Sequence, residues 1–233
     1  MEYKLCILAA GSGKRMGPLT DKFNKALLPV DSKAAISHVI EKHSPEVEII
    51  IAVNYEKHKI KQYLDCAYKE RKIIYVDVPK IDAEGSGPGF SLICCEKYLN
   101  MPFIFSTIDT LYPEKCPKPY ENWMGVSKID DPKNFCTLKL QKNQEYIESF
   151  VDKSKDGTDI AFIGIAGVND YETFFSSLLK DNTQINGELQ VSNGFQGLIK
   201  KGLKTIKFTW FDIGSIDGYY AANKNFSSNK IEF

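Results

Sequence analysis

Three cations and two carboxylates in this sequence stand where their neighbours could gather them around a phosphate. Lys14 and Arg15 belong to the stretch Leu8-Ala9-Ala10-Gly11-Ser12-Gly13-Lys14-Arg15-Met16-Gly17-Pro18-Leu19-Thr20, and Lys25 stands before the apolar run Ala26-Leu27-Leu28. Glycines let backbone N–H groups approach phosphate oxygens closely, and cations neutralise them; this is the chemistry of holding a nucleoside triphosphate. Asp109 follows Phe103-Ile104-Phe105-Ser106-Thr107-Ile108, and Asp212 follows a second apolar segment that ends in Trp210-Phe211. A carboxylate is the hard oxygen donor that Mg²⁺ takes, often with only one or two protein ligands beside phosphates and water. A strand-ending Asx turn is the other use for Asp109. The glycine loop tips the reading towards metal.

Two better-known glycine motifs fail on the opening stretch. A P-loop needs glycine five residues before its Gly-Lys pair and Ser or Thr after it; Leu8 and Arg15 occupy those places. The dinucleotide fingerprint needs a small residue where Met16 stands.

The elements that must position these groups follow from hydrophobic periodicity. Residues 5–9 form a short apolar strand running into the loop. Residues 33–43 predict a helix with Ile36, Val39, Ile40 and His43 on one stripe, and 47–53 an unbroken apolar strand covered on both faces. A helix over 56–68 and a strand over 72–78 follow. The alternation predicts a parallel sheet with helices on its faces, the first loop lying at its carboxyl edge. Ala83-Glu84-Gly85-Ser86-Gly87-Pro88-Gly89 is a second glycine cluster, opening a helix near Pro88. A buried strand over 103–108 ends at Asp109. Beyond it come strands at 123–129, 136–140 and 146–151, a hairpin turn at Lys142-Asn143, and an apolar strand at 161–168. These read as small antiparallel additions covering the first half. A helix over 170–179 carries the stripe Tyr171, Phe174, Phe175 and Leu178, a core pattern. A strand over 203–210 and a helix beginning near Tyr219 close the chain. The fold class is α/β, a Rossmann-like three-layer sandwich with a mostly parallel mixed sheet. It forms one domain over 1–233, with 1–110 as nucleotide-binding half and 111–233 as acceptor-binding half.

Residues 8–20 resemble the signature of the nucleotidyltransferases that activate sugar phosphates, roughly L-A-A-G-x-G-x-R-[ML]-x-P-[LMA]-T, with Lys25 at the place of its second lysine. The first half of the stretch also resembles the methylerythritol-phosphate cytidylyltransferases, but Pro18-Leu19-Thr20 favours the sugar-phosphate branch. The resemblance implies transfer of NMP from an NTP to a sugar 1-phosphate, with Mg²⁺ as cofactor. It implies that Leu8, Ala9, Ala10, Gly11, Ser12, Gly13, Lys14 and Arg15 bind the nucleotide, with Gly85 and Ser86 in place of the family's Gly-Thr-Ala-Gly-like segment. The glutamine usual upstream of that segment is absent. Arg15, Lys25 and Asp109 become catalytic, and Trp210-Phe211-Asp212-Ile213-Gly214-Ser215 resembles the ending that supplies the second metal carboxylate. Lys153, in a Glu-Lys-Pro-like position without the proline, would meet the acceptor with Gly164 and Glu188; Glu188 opens a Glu-x-x-[TS]-[DN]-like helix over 187–195. Nucleotide-sugar and polysaccharide biosynthesis are the expected settings. A cytidylyltransferase acting on a non-sugar phosphate such as phosphocholine, and a catalytically silent nucleotide-binding module, remain as alternatives.

Composition narrows the class further. Lys+Arg and Asp+Glu both number 30 in 233 residues, and this zero balance argues against nucleic acid held by bulk electrostatics. Six cysteines without a C-x-x-C pair read as reduced thiols, not as a zinc site or a disulfide framework. Neither a signal pattern nor a long apolar run is present, so a cytoplasmic protein without membrane contact is expected. Packing or surface roles are expected for His38, His43 and His58. The composition leaves room for a homo-oligomer.

Overall fold

The computed structural model describes residues 2–226. Nine strands join in one sheet: β1 Lys4–Ala9, β2 Ile49–Val53, β3 Ile73–Asp77, β4 Phe103–Thr107, β5 Asn122–Lys128, β6 Cys136–Leu140, β7 Ile147–Asp152, β8 Ile160–Val168 and β9 Leu203–Lys207. The main path runs β7-β6-β8-β4-β1-β2-β3, with β5 beside β8 and β9 beside β5. The strands β4, β1, β2 and β3 are mutually parallel, and β8 lies antiparallel to β4. The strand order reverses at β1, with β2 on one side and β4 on the other. At such a switch point the loops leaving the two parallel strands diverge and open a crevice at the carboxyl edge. Leu8 is in register with Thr107, so the glycine loop and Asp109 leave the sheet side by side.

The two faces of β1 show why three layers form. Leu5, Ile7 and Ala9 point into a core with Ile36, Val39, Ile40, Ile60 and Leu64, from α1 Ala35–Ile40 and α2 Lys57–Ala67. Cys6, Leu8 and Ala10 point the other way, into a core with Leu92 of α3 Pro88–Cys95, Phe174 and Leu178 of α4 Tyr171–Lys180, and Phe195 of α5 Ser192–Leu198. Successive strand side chains alternate between faces, so a strand apolar throughout must be covered on both. Each buried Leu, Ile or Phe contributes about 1.5–3 kcal/mol.

Three expectations need correction. The helix over 33–43 is only α1: Lys33–Ala34 pairs antiparallel with Pro29–Val30, and His43, although buried, lies in the turn beyond. The antiparallel strands of the second half do not lie over the first but extend its sheet, because β8 hydrogen-bonds directly to β4; the helices α4 and α5 of that half do cover one face of it. Residues 187–195 are not one helix: Glu188–Leu189 forms a short strand and α5 starts at Ser192. The closing helix, α6 Ile216–Asn225, begins three residues before Tyr219. All six cysteines are free thiols, and no helix among the described residues is long and apolar enough to cross a membrane.

Candidate active site

The glycine loop owes its shape to what it buries. Gly13 takes φ +72°, a left-handed turn unfavourable to side chains, and its carbonyl accepts from Met16 N–H at 2.8 Å. Met16 is fully buried in a small cluster with Leu28, Leu111, Ile213 and Tyr219 of α6. One apolar knot therefore anchors the loop carrying Arg15, the segment after Asp109 and the segment after Asp212. Beneath the loop, buried Asn24 donates through Nδ2 to the carbonyls of Ala9 at 3.0 Å, Gly11 at 3.3 Å and Tyr55 at 2.9 Å. Its Oδ1 accepts from Ala26 N–H at 2.9 Å, which sets the turn bearing Lys25. Gly11 itself faces open space, so a ligand can approach its backbone.

Asp109 lies in the turn after β4, its side chain 23% exposed towards the cleft. Lys25 Nζ donates to Asp109 Oδ2 at 2.6 Å, while the exposed Arg15 places Nη2 at 3.9 Å from the same oxygen. Asp212 reaches the site through a two-residue antiparallel pairing, Phe211 with Leu111 and Asp212 with Thr110; Ile213 N–H adds a bond to Asp109 O at 3.0 Å. Asp212 Oδ1, Asp109 Oδ2 and Arg15 Nη2 lie 2.9, 3.2 and 3.1 Å from the point where a Cβ on Gly214 would stand. Glycine there leaves a space one atom wide between the two carboxylates. Their electrostatics diverge. Burial pushes Asp109 up, but the Lys25 charge and hydrogen bond, the Thr107 hydroxyl and Arg15 outweigh it and hold Asp109 well below the usual carboxylate range. Burial, then the Asp109 charge, raise Asp212 against the opposing Gly214 N–H, Arg15 and Lys25. Two carboxylates that repel across a small gap are a donor set suited to a hard divalent cation. No group of three or more Asp, Glu, His or Cys side chains gathers for a metal among the described residues. A cation held there would complete its shell with phosphate oxygens and water, as Mg²⁺ commonly does.

Arg15, Lys25, Asp109 and Gly214 line one end of a cleft of about 510 Å³. Leu8, Ala10, the loop from Gly11 to Arg15, and Lys25 form one wall, and Ser86, Lys153 and Glu188 line it further along. Lys153 Nζ pairs with Glu188 Oε2 at 3.3 Å, from a backbone at φ +47° that non-glycine residues seldom adopt. Four expected site residues stand apart from the wall. Asp212 is beside it, its Oδ1 accepting from the N–H of the lining residue Gly214 at 2.8 Å. Ala9 is buried, its carbonyl tied to Asn24. Gly85 sits behind it, next to Lys80. Gly164, at φ +87°, marks the bulge between Phe162 and Ala166 of β8, where a side chain would collide with Thr107.

Several cleft groups carried no sequence signal as ligand contacts. Asp82 reaches across to the glycine loop, accepting from Ser12 Oγ at 2.6 Å and pairing with Lys14 Nζ at 3.5 Å. Lys80 and Gln190 also line the cleft. Asn24 stands directly before Lys25; an amide there is a turn-cap signal that gives no hint of the three carbonyls it collects.

Comparison with known proteins agrees with this architecture. Residues 5–113 match the model of the MobA-like NTP transferase domain. The bifunctional protein GlmU of Methanococcus vannielii is 28% identical over 233 residues, covering 96% of this chain and 55% of that protein. The bifunctional sugar-1-phosphate nucleotidylyltransferase/acetyltransferase of Sulfurisphaera tokodaii is 28% identical over 223 residues, 91% of this chain and 52% of that protein. The chain thus spans about half the length of these curated relatives. Among solved structures, a UDP-glucose pyrophosphorylase complexed with UDP-glucose superposes with TM-score 0.82 at 19% identity, over 98% of this chain and 99% of that one. The CTP:phosphocholine cytidylyltransferase of Streptococcus pneumoniae gives TM-score 0.74 at 20% identity, over 97% and 100%. At these identities the structural matches speak for the fold.

Proposed function

We propose that this chain, whose residues 5–113 match an NTP transferase domain, transfers a nucleotidyl group from an NTP to a phosphomonoester and releases pyrophosphate. A sugar 1-phosphate is the acceptor class favoured by the name of the Sulfurisphaera tokodaii relative. The observation that carries the reading is the convergence of Arg15, Lys25, Asp109 and Asp212 at the carboxyl edge of β1, beside a glycine loop with open backbone.

The acceptor's phosphate oxygen attacks the α-phosphorus in line; its bond to phosphorus forms as the bond to the bridging oxygen of the leaving pyrophosphate breaks. A phosphate monoester is already anionic near neutral pH, so no general base and no covalent enzyme intermediate are required. Catalysis is then positioning and charge neutralisation. Arg15, with the backbone from Gly11 to Gly13, receives the β- and γ-phosphates and the charge that grows on pyrophosphate. Lys25 stands between the attacking phosphate and the α-phosphate, its ammonium aimed by Asp109. A divalent cation between Asp109 and Asp212 would supply charge neutralisation at the α-phosphate. Leu8, Ala10, Gly11 and Ser86 serve the base and ribose, with Gly85 shaping the loop behind Ser86, and Lys153 and Glu188 serve the acceptor. Gly164 serves by bending β8 behind Asp109. The whole chain acts as one domain, since the sheet is continuous through both halves.

The test is a pyrophosphate-release screen of the four NTPs against sugar 1-phosphates and alcohol phosphates, phosphocholine included. Turnover with one sugar 1-phosphate supports the reading. Turnover only with an alcohol phosphate reassigns the acceptor, and nucleotide binding without turnover across the panel refutes transfer.

A further inference from the structure

The second glycine loop and the hairpin that bears Glu188 are hydrogen-bonded into a single unit. Gly85 N–H donates to Gly187 O at 2.7 Å and Leu189 N–H to Ser86 O at 2.7 Å, with Ser86 and Glu188 in parallel register. The hairpin pairs only Gln184–Ile185 with Glu188–Leu189, around Asn186 and Gly187 at φ +54° and +77°. Two residues per strand cannot hold a hairpin in place by themselves. Its position must come from what it leans on, and that is the start of α3. A Cβ on Gly89 would lie 2.8 Å from Gln190 O and 2.9 Å from Leu189 O; one on Gly87 would lie 2.8 Å from Leu189 O. Both separations are too short for a carbon against a backbone oxygen. From this seat the hairpin presents Glu188 to Lys153, and Gln190, whose Nε2 lies 3.3 Å from Glu188 Oε2.

We infer that Gly89, together with Gly87, is a positioning residue for the acceptor: it leaves the seat on which the hairpin 184–190 presents Glu188 and Gln190. The two backbone hydrogen bonds described above couple that hairpin to the nucleotide loop at 85–86. This rests on the acceptor end of the cleft proposed above. Gly89 is the diagnostic position because it lies in the first turn of α3 without positive φ, and alanine is the better helix former there. A Gly89→Ala protein keeps its helix but must push the hairpin away.

In steady-state pyrophosphate release, Gly89→Ala should raise KM for the acceptor about 10- to 10²-fold and KM for the NTP by a smaller factor, about two- to fivefold, the share passed on through the bonds to 85–86. An equal rise in both constants, or no change in either, would overturn the inference. Hydrogen exchange on the wild-type chain tests both parts even where Gly89→Ala does not fold: an accepted sugar 1-phosphate should slow exchange at the amides of 187–190, and unaltered exchange there would overturn the positioning role. NTP alone should slow exchange at the amides of 185–190, through the bonds to 85–86; unaltered exchange there would sink the coupling. A wild-type chain inactive against every acceptor refutes the transferase reading instead. An active chain whose exchange NTP leaves unaltered refutes the coupling alone.

Discussion

Lys25 Nζ lies 2.6 Å from Asp109 Oδ2, across 84 residues of sequence. The pair ties the lysine that would meet the attacking phosphate to the carboxylate that would face the α-phosphate. Lys25→Ala and Asp109→Asn should each lower kcat/KM about 10²-fold or more, the usual effect of removing one preorganised charge contact. Lys25→Ala also leaves a half-buried carboxylate without its ammonium, and should cost about 2 kcal/mol of stability. Steady-state kinetics and urea melts check both; near-wild-type turnover in either variant would remove the assigned site.

Asp212 should trade stability for activity. Burial and the neighbouring Asp109 charge both oppose its ionised form. Asp212→Asn relieves that repulsion and should raise the melting temperature, about 2–4 °C for each kcal/mol relieved. The same variant should need more Mg²⁺ for half-maximal turnover, and excess EDTA should silence the wild type. A lowered melting temperature together with an unchanged Mg²⁺ requirement would show that Asp212 is a structural anion and not a metal ligand.

Asn24 is a bracket under the glycine loop. Its amide serves three carbonyls, of which Ala9's is buried, and Asn24→Ala would remove that partner and loosen the other two at about 1–3 kcal/mol. The loop carrying Gly11 should loosen with it. The expected result is a lower melting temperature and a raised KM for NTP at little-changed acceptor KM. A stable variant with wild-type nucleotide affinity would contradict the bracket.

His43 gives the fold a pH dependence remote from the cleft. It is 5% exposed, accepts or donates to Tyr3 Oη at 3.1 Å through Nδ1, and is held to about 4 by burial, then by Arg71 and Lys42. The unfolded chain binds a proton near 6.5, the folded one only near 4, so stability is full above 6.5 and falls as pH drops through that window. At about 1.4 kcal/mol per unit, the loss reaches about 3 kcal/mol. Melting curves from pH 7 to 4 should show it, and His43→Gln should flatten this part of the profile. An equal slope in the variant would assign the loss to other groups.

Much of this architecture was legible before any coordinate. The unbroken apolar run over 47–53 demands cover on both faces, and it has it; the signature from Leu8 to Thr20 reads as a phosphate-holding loop by residue type alone. The resemblance to NTP transferases is met by the domain match over 5–113. Errors came where local pattern was weak. Residues 187–195 hold apolar positions compatible with a helix, yet Glu188 and Leu189 are extended because Ser86 offers them a backbone partner. Similarly, the helix over 33–43 starts late, since Val30 pairs with Lys33, and it stops at Ile40, leaving His43 in the turn beyond.

The sequence by itself determined the phosphate loop, the parallel start of the sheet and the candidate charges, because periodicity and residue type are local properties. Only the tertiary structure decided that Asp212 faces Asp109, that Gly164 bends a strand while lining no wall, and that the hairpin of Glu188 rests on Gly89. Each of these depends on a backbone pairing or a steric contact between segments at least 50 residues apart. Such contacts are selected by how the sheet closes and leave no period in the chain.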